Sequence, residues 1–83
     1  MKYKIVIEKK AVKFIKKQTP EQQKRILKAI NNLPNGDIKS IQGYTGYYRL
    51  RVGNYRIIYT IDNEVLTIIV TNIGNRGQIY NSL

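Results

Sequence analysis

The sequence of 83 residues has no cysteine and no histidine, and these two absences exclude several kinds of site. Without cysteine, neither a disulfide nor a thiolate metal site can stabilise the domain. Without histidine, the chain lacks the commonest metal ligand and the usual general base. The chain has five acidic residues, Glu8, Glu21, Asp37, Asp62 and Glu64. Their positions match no recognisable metal-ligand pattern. We therefore expect no metal site and no cofactor.

Long apolar runs are missing as well. No segment approaches the roughly 20 apolar residues that a membrane-spanning helix needs. The apolar run at residues 5–7 is too short for a secretion signal. We expect no membrane partner and a cytoplasmic location, with which the missing cysteine is compatible. The length predicts a single domain over residues 1–83 with a modest core.

Basic residues are abundant and unevenly divided between the two halves of the chain. The net charge is +10, which favours polyanionic partners such as nucleic acid or an acidic protein segment. All ten lysines lie between Lys2 and Lys39. The remainder of the chain has no lysine but contains four of the five arginines: Arg49, Arg51, Arg56 and Arg76. Arginines confined to one segment indicate a site, because a planar guanidinium binds phosphate through two parallel hydrogen bonds.

The first half of the chain predicts one strand and two helices. Alternation of apolar residues over positions 3–8 indicates a strand, and apolar spacing over residues 9–18 indicates an amphipathic helix. Thr19 suits the N-cap of a second helix and Pro20 its first position. The Pro-Asn-Gly-Asp sequence at residues 34–37 ends this helix.

The second half predicts strands and turns. Strands are expected over residues 47–52, 55–61 and 65–73, with Gly53 and Asn54 as a two-residue hairpin turn. The predicted fold is α+β, in the order β-α-α-β-β-β. It is a twisted, mostly antiparallel sheet with a two-helix hairpin packed on one face.

The hairpin turn fixes which side chains share a face of the sheet. A two-residue turn at Gly53 and Asn54 places Arg51 directly opposite Arg56, and opposed residues share a face. One face is then apolar, with Tyr48, Leu50, Val52, Tyr55, Ile57, Tyr59 and Ile61, and we expect Leu66, Ile68 and Val70 to join it. The other face carries Tyr47, Arg49, Arg51, Arg56, Ile58 and Thr60.

Two interpretations of the arginine face compete. Arginines on the solvated face of a sheet are common, but like charges directly across from each other destabilise a sheet. No acid in the neighbouring segments is expected to neutralise them, so an external anion is the better explanation. Tyr48, Tyr55 and Tyr59 are predicted core residues, whereas Tyr80 suits packing and function equally. The helical lysines are expected to be mainly solvated surface, with attraction of a polyanion as a secondary effect.

These residues resemble the RelE/ParE toxin superfamily of bacterial toxin–antitoxin systems. The resemblance covers nearly the whole chain and is strongest in Y-R-L-R-V-G-N-Y-R-I-I-Y and I-G-N-R-G-Q-I-Y. It implies the RelE-like microbial RNase fold. Within the RelE-like branch it implies a metal-independent endoribonuclease that cleaves mRNA in the ribosomal A site and inhibits translation. In that branch the 2′-hydroxyl of the RNA attacks the neighbouring phosphate.

The resemblance also implies roles for individual residues. The catalytic set it implies is Arg49, Arg51, Arg56, Arg76 and Tyr80. Contacts with RNA or the ribosome are expected from Lys9, Lys10, Lys13, Lys17 and Tyr47. Relatives often carry lysine at the position of Arg49 or Arg51, and arginine is a poor base because its pKa exceeds about 12. A crowded arginine, ribosomal RNA or water remain alternatives for the proton acceptor.

The implied partners are the ribosome with its mRNA and a cognate acidic antitoxin, with operator DNA bound only through the antitoxin complex. Two other functions compete with mRNA cleavage. A ParE-like inhibitor of DNA gyrase would share the fold but cleave no RNA. A plain nucleic-acid-binding module would bind free RNA with a steep salt dependence and cleave nothing on ribosomes.

Overall fold

The computed structural model describes residues 3–75, which form a layer of two helices packed on one face of a five-stranded sheet. The elements are β1 (Lys4–Ile7), α1 (Lys9–Lys16), α2 (Pro20–Asn31), β2 (Asp37–Ser40), β3 (Tyr47–Val52), β4 (Tyr55–Asp62) and β5 (Thr67–Asn75). The strand order is β1-β5-β4-β3-β2, with β1 parallel to β5 and the other neighbours antiparallel. The predicted α+β fold with its helical hairpin on one face is confirmed. Within the described residues, neither helix is long and apolar enough to cross a membrane.

The helices begin where local sequence signals place them. The Thr19 Oγ1 atom accepts a hydrogen bond from the Gln22 backbone N–H at 3.3 Å, and Pro20 occupies the first turn of α2. This cap satisfies one of the donors that every helix N-terminus leaves free. The buried residues of α1 are Ala11 and Ile15, and those of α2 are Ile26 and Ile30. Their three- and four-residue spacings give each helix one apolar stripe that faces the sheet.

The core lies between the helices and the sheet face that they cover, here called the inner face. The sheet contributes Leu50, Ile57, Tyr59, Ile68, Val70 and Ile73, all buried against Ala11, Ile15, Ile26, Ile30 and Leu33. Burial of one large aliphatic side chain stabilises a fold by about 1.5–3 kcal/mol. The inner-face residues predicted on β3 and β4 all belong to this core or pack against it. The opposite face, which the helices do not cover, is here called the outer face.

The strand β2 was not predicted from the sequence. It spans Asp37–Ser40, pairs antiparallel with β3, and buries part of one side chain, Ile38, against the core. A four-residue strand with one apolar residue gives too little alternation to be recognised. Its position directly after a helix-stop sequence favoured a turn instead. As a result, β3 is not at the edge of the sheet, and residues of β2 lie beside its arginines.

The strand β5 differs from the prediction at its start and in its middle. Leu66, expected on the inner face of this strand, lies before it with a φ of 48°, and the strand begins at Thr67. A register shift then makes Tyr59 pair with Val70 and Ile58 with Asn72, so Thr71 is an extra residue in β5. This bulge places Asn72 on the outer face and returns Ile73 to the core.

Candidate functional site

Three arginines share the outer face of the β3–β4 hairpin, as the register argument predicts. Arg51 lies opposite Arg56, and Arg49 lies opposite Ile58. The turn between the strands uses Gly53 with a φ of 58°, a left-handed conformation that favours glycine. The predicted pairing of the hairpin is therefore confirmed from end to end. The helices cover the inner face, so the arginine side chains project from the face without helices.

The three guanidinium groups differ in depth. Arg56 is 9% exposed, and its Nη1 donates to the Tyr55 carbonyl oxygen at 3.3 Å. The side chain of Arg49 is 12% exposed, whereas Arg51 is exposed. Across the sheet, Arg56 pairs with Gly74, which has no side chain to occupy the space beside it. This arrangement places Arg56 at the floor of the cluster and Arg51 at its rim.

One acid accompanies these arginines, so the expectation that no neighbouring acid could neutralise them is wrong. Asp37 of β2 pairs with Arg51 in the sheet. Its Oδ1 lies 3.8 Å from Nη1 of Arg49, which also donates to the Asp37 carbonyl oxygen at 3.4 Å. The Asp37 side chain is 57% exposed, and exposed ion pairs contribute at most about 1 kcal/mol. Since Lys39 lies opposite Arg49, four cations and one anion meet here, and the cluster keeps a net charge of +3.

Arg25 also reaches this hairpin, although the sequence did not single it out. It belongs to α2, and its guanidinium lies against the hairpin turn from the inner side. A Cβ atom added at Gly53 would come within 2.9 Å of Arg25 Nη2. The available signal was its position just before Ile26 in the buried stripe of α2, which puts Arg25 at the border between helix and sheet.

The predicted RNA-contacting residues lie apart from the arginine cluster. The lysines of this group are all exposed and belong to the helix layer, on the other side of the sheet: Lys9, Lys10, Lys13 and Lys17. Tyr47 is half-buried at the start of β3, and its ring makes an edge contact with Tyr44 at a centroid distance of 6.4 Å. It pairs with Thr60 and shares the outer face with the arginines, at the far end of the strand from Arg51.

The inner-face tyrosines serve the core, as predicted. The rings of Tyr48 and Tyr59 stack with centroids 5.6 Å apart, and the Tyr55 hydroxyl donates to Gln18 Oε1 at 2.9 Å. Burial, and secondarily the charge interaction with Tyr48, raises the pKa of Tyr59 from 10.0 to about 12. Such a hydroxyl stays protonated at neutral pH, which agrees with a structural role.

Arg76 and Tyr80 lie outside the described residues, so the roles assigned to them remain predictions. The described part of β5 ends at Asn75, which pairs with Tyr55. On the described residues alone, Arg49, Arg51 and Arg56 come together with Lys39. Cations gathered without matching anions can bind phosphate groups and stabilise negative charge that develops during a reaction.

Comparisons with known proteins agree with this fold. A family model described as "ParE toxin of type II toxin-antitoxin system, parDE" matches residues 6–80. Toxin RelE3 of Methanocaldococcus jannaschii is 38% identical over 85 residues, covering 93% of this chain and 94% of that protein. The RelB–RelE antitoxin–toxin complex from Methanococcus jannaschii matches with a TM-score of 0.72 and 36% identity, covering 94% of this chain and 98% of that one. The archaeal RelE–RelB complex from Pyrococcus horikoshii OT3 matches with a TM-score of 0.77 and 25% identity, covering 94% and 99%. The chain belongs to the RelE/ParE superfamily and is a RelE-like toxin of a type II toxin–antitoxin system.

Proposed function

We propose that this toxin is a ribosome-dependent endoribonuclease that cleaves mRNA in the A site and thereby inhibits translation. The observation that carries the proposal is the pair of like charges at Arg51 and Arg56, directly opposed on the outer face with Arg49 beside them. Such a pairing destabilises the sheet when empty. A phosphate group placed among these side chains turns the repulsion into attraction, since each guanidinium can donate two hydrogen bonds to it.

In the proposed reaction the mRNA itself supplies both the nucleophile and the leaving group. The 2′-oxygen of one nucleotide attacks the adjacent phosphorus, and the bond from phosphorus to the 5′-oxygen of the next nucleotide breaks. The 2′-hydroxyl gives up its proton and the leaving 5′-oxygen takes one, which leaves a cyclic phosphate and a free 5′-hydroxyl. Negative charge grows on the phosphate oxygens in the transition state, and fixed cations in a partly buried site stabilise it.

The three arginines differ in exposure, and their proposed roles in the reaction differ accordingly. Arg56 is held by its surroundings and is the least exposed of the three, so it suits transition-state stabilisation at the scissile phosphate. Arg51 at the rim suits initial binding of the RNA backbone. By resemblance, Arg76 adds a second charge at the phosphate, and Tyr80 stacks on or orients a base. The proton acceptor is a crowded arginine, ribosomal RNA or a water, and the ribosome supplies the positioning of the mRNA.

The proposed partners follow from the charge and from the relatives. With a net charge of +10, the toxin suits an acidic antitoxin segment that folds on its surface. The Methanococcus and Pyrococcus relatives form complexes with RelB antitoxins. Operator DNA is then bound only through the antitoxin complex. Action on translating ribosomes places the toxin in the cytoplasm.

Inhibition of DNA gyrase is the second candidate function, because the matching family model is described as a ParE toxin. This function uses the same fold but gives no reason for three arginines on the sheet face that the helices do not cover. The arginine cluster therefore favours the ribonuclease, and a supercoiling assay with purified gyrase separates the two functions.

The direct test is induced expression followed by mapping of RNA 5′ ends. We expect growth arrest and new 5′-hydroxyl ends inside translated codons. Purified Arg56→Gln should cleave mRNA on ribosomes about 100- to 1000-fold more slowly, the usual effect of removing one donor from such a site. Lys16→Gln, an exposed α1 residue, removes the same charge and should cleave normally. Thermal melting of both variants checks that they fold. Equal cleavage by a folded Arg56→Gln variant, or gyrase inhibition without new RNA ends, would overturn the proposal.

A further inference from the structure

We propose that Arg25 and Lys28 form a second RNA-backbone subsite, on the other side of the β3–β4 turn from Arg51 and Arg56. The subsite takes another phosphate of the RNA strand that the arginine cluster binds. This inference rests on the proposed function in one respect, namely that the ligand of the arginine cluster is RNA.

The subsite is an open cavity between α2 and the hairpin. Its volume is about 450 Å³, and its lining residues are Arg25, Lys28, Ala29, Asn31, Asn32 and Val52. Small-molecule sites usually measure about 300–1,000 Å³, so a nucleotide is a suitable size. Two cations and two amides surround an apolar floor made by Ala29 and Val52. A nucleotide matches this combination, because it joins an anionic phosphate to a sugar and a base with extended apolar faces.

The side chains on α2 are placed by helical spacing. Lys28 follows Arg25 by three residues and precedes Asn32 by four, so the three lie along one side of the helix. The guanidinium of Arg25 rests on the turn at Gly53, where a methyl group would approach it to 2.9 Å. This position brings an exposed guanidinium beside the hairpin, within reach of a phosphate that passes over the turn.

The partial charge at the C-terminal end of α2 makes Arg25 and Lys28 unequal as phosphate-binding residues. Asn31 ends α2, and the C-terminal end of a helix carries a partial negative charge that repels anions. Lys28 lies in the last turn and offsets that charge. Arg25 lies farther from the helix end and closer to the hairpin. The phosphate should therefore bind nearer to Arg25, and Arg25 should contribute more to binding than Lys28.

The hairpin turn connects this cavity to the arginine cluster. Val52 lines the cavity on the inner side, while its neighbour Arg51 projects from the outer face. Cations therefore flank both sides of the same short turn. A ligand that contacts both groups needs separated negative charges on a flexible chain, and an RNA strand carries one such charge per nucleotide. A strand that leaves Arg51 and Arg56 over the tip of the hairpin meets Arg25 next.

The test is binding of a fluorescently labelled single-stranded RNA oligonucleotide to the purified toxin at several salt concentrations. For single strands, each lost phosphate contact reduces the slope of log K against log salt by about 0.7. We expect a reduction of about 0.7 for Arg25→Gln and about 1.4 for the double variant with Lys28→Gln. Arg25→Lys should keep the slope, because the charge remains. Lys24→Gln is the matched control, since Lys24 is exposed on α2 but does not line the cavity, and it should behave as the wild type.

The outcomes separate this inference from the proposed function. The expected slope reductions in the variants, found together with a wild-type toxin that cleaves no mRNA on ribosomes, support the subsite and overturn the ribonuclease. Equal slopes for Arg25→Gln, Lys24→Gln and wild type overturn the subsite. An unchanged slope for free RNA with lost activity on ribosomes assigns the cavity to ribosomal RNA instead. An unchanged RNA slope with weaker binding of a poly-glutamate peptide assigns it to an acidic protein partner. Either of these last two results also overturns the proposal.

Discussion

Removal of the Asp37 charge should tighten RNA binding, which is the opposite of what most substitutions in a binding site do. Asp37 is the acid that the structure places beside the arginine cluster, with Oδ1 3.8 Å from Nη1 of Arg49. In the free toxin it competes with phosphate for that guanidinium. Asp37→Asn keeps the size of the side chain and removes only its charge. The carbonyl oxygen of residue 37, which also accepts from Arg49, remains in place.

The size of the effect follows from the distance. Two unit charges about 4 Å apart interact by about 1 kcal/mol in water. Since 1.4 kcal/mol corresponds to a factor of ten, the upper limit is about fivefold. The Asp37 side chain is 57% exposed, so salt screens it and an effect of about two- to fivefold at low salt is realistic. At about 1 M salt, where the Debye length is roughly 3 Å, the difference should disappear. The free energy of unfolding should change by less than about 1 kcal/mol, as for other exposed ion pairs.

Glu64→Gln is the matched control for this experiment. Glu64 is exposed in the turn between β4 and β5, at the opposite end of β4 from the hairpin turn. Both variants raise the net charge of the toxin by the same amount. A general increase in attraction for RNA would therefore tighten RNA binding equally in both. RNA binding is measured by fluorescence anisotropy for wild type and both variants over a range of salt. Equal tightening by the two variants, or weaker binding by Asp37→Asn, would refute a local competition between Asp37 and phosphate.

Three further predictions concern stability. Burial raises the pKa of Tyr59 from 10.0 to about 12, so the contribution of this group to stability should be constant below about pH 10 and fall as pH rises toward 12. The Tyr59 contribution to this loss amounts to roughly 3 kcal/mol at most, and urea unfolding at ~pH 9 and ~pH 11 should show a shallower decline for Tyr59→Phe. Gly36→Ala should destabilise more than Gly53→Ala, because Gly36 has a φ of 126° and its new Cβ would lie 2.8 Å from Leu50 Cδ1 in the core. At Gly53 only the flexible end of Arg25 must move, so thermal melting should rank the two variants in this order. Arg51→Gln should stabilise the fold by a few tenths of a kcal/mol while weakening RNA binding, since it removes the repulsion from Arg56 and a smaller attraction to the exposed Asp37. A less stable Arg51→Gln variant would show that repulsion does not dominate at Arg51.

The inner and outer faces of the sheet could be predicted because they depend on two local rules. Side chains alternate along a strand, and a two-residue turn fixes the pairing of the strands that it joins. Gly53 and Asn54 supplied the turn, and the alternation of Tyr48, Leu50 and Val52 supplied the face. A slip of one residue would bury the arginines, so one register is strongly preferred. The opposed arginines follow from these rules alone.

The residues that sequence reasoning missed depend on contacts between distant segments. Asp37 acts on Arg49 only because β2 pairs with β3, and β2 has too little alternation to be recognised. Arg25 acts at the hairpin because α2 packs over the inner face, which places its border residue on the turn. The bulge at Thr71 also depends on pairing with β4, and nothing in the local sequence of β5 predicts it. Local patterns thus predicted the elements other than β2 and the two faces of the β3–β4 hairpin, whereas the contacts of Asp37 and Arg25 with this hairpin required the tertiary structure.

The sheet can keep an unfavourable charge arrangement on its outer face because the inner face supplies the stability of the fold. The inner face with the two helices supplies the buried core, and the repulsion between Arg51 and Arg56 costs only a fraction of that stability. A neutral pair at these positions would give a more stable sheet, so stability alone does not account for the arginines. Ligands that bind the folded state add stability in proportion to the logarithm of their concentration relative to Kd. A polyanion on the outer face therefore offsets the repulsion when it is bound. RNA should accordingly raise the melting temperature of the wild type more than that of Arg51→Gln, and an equal rise for both would place the anion elsewhere on the protein.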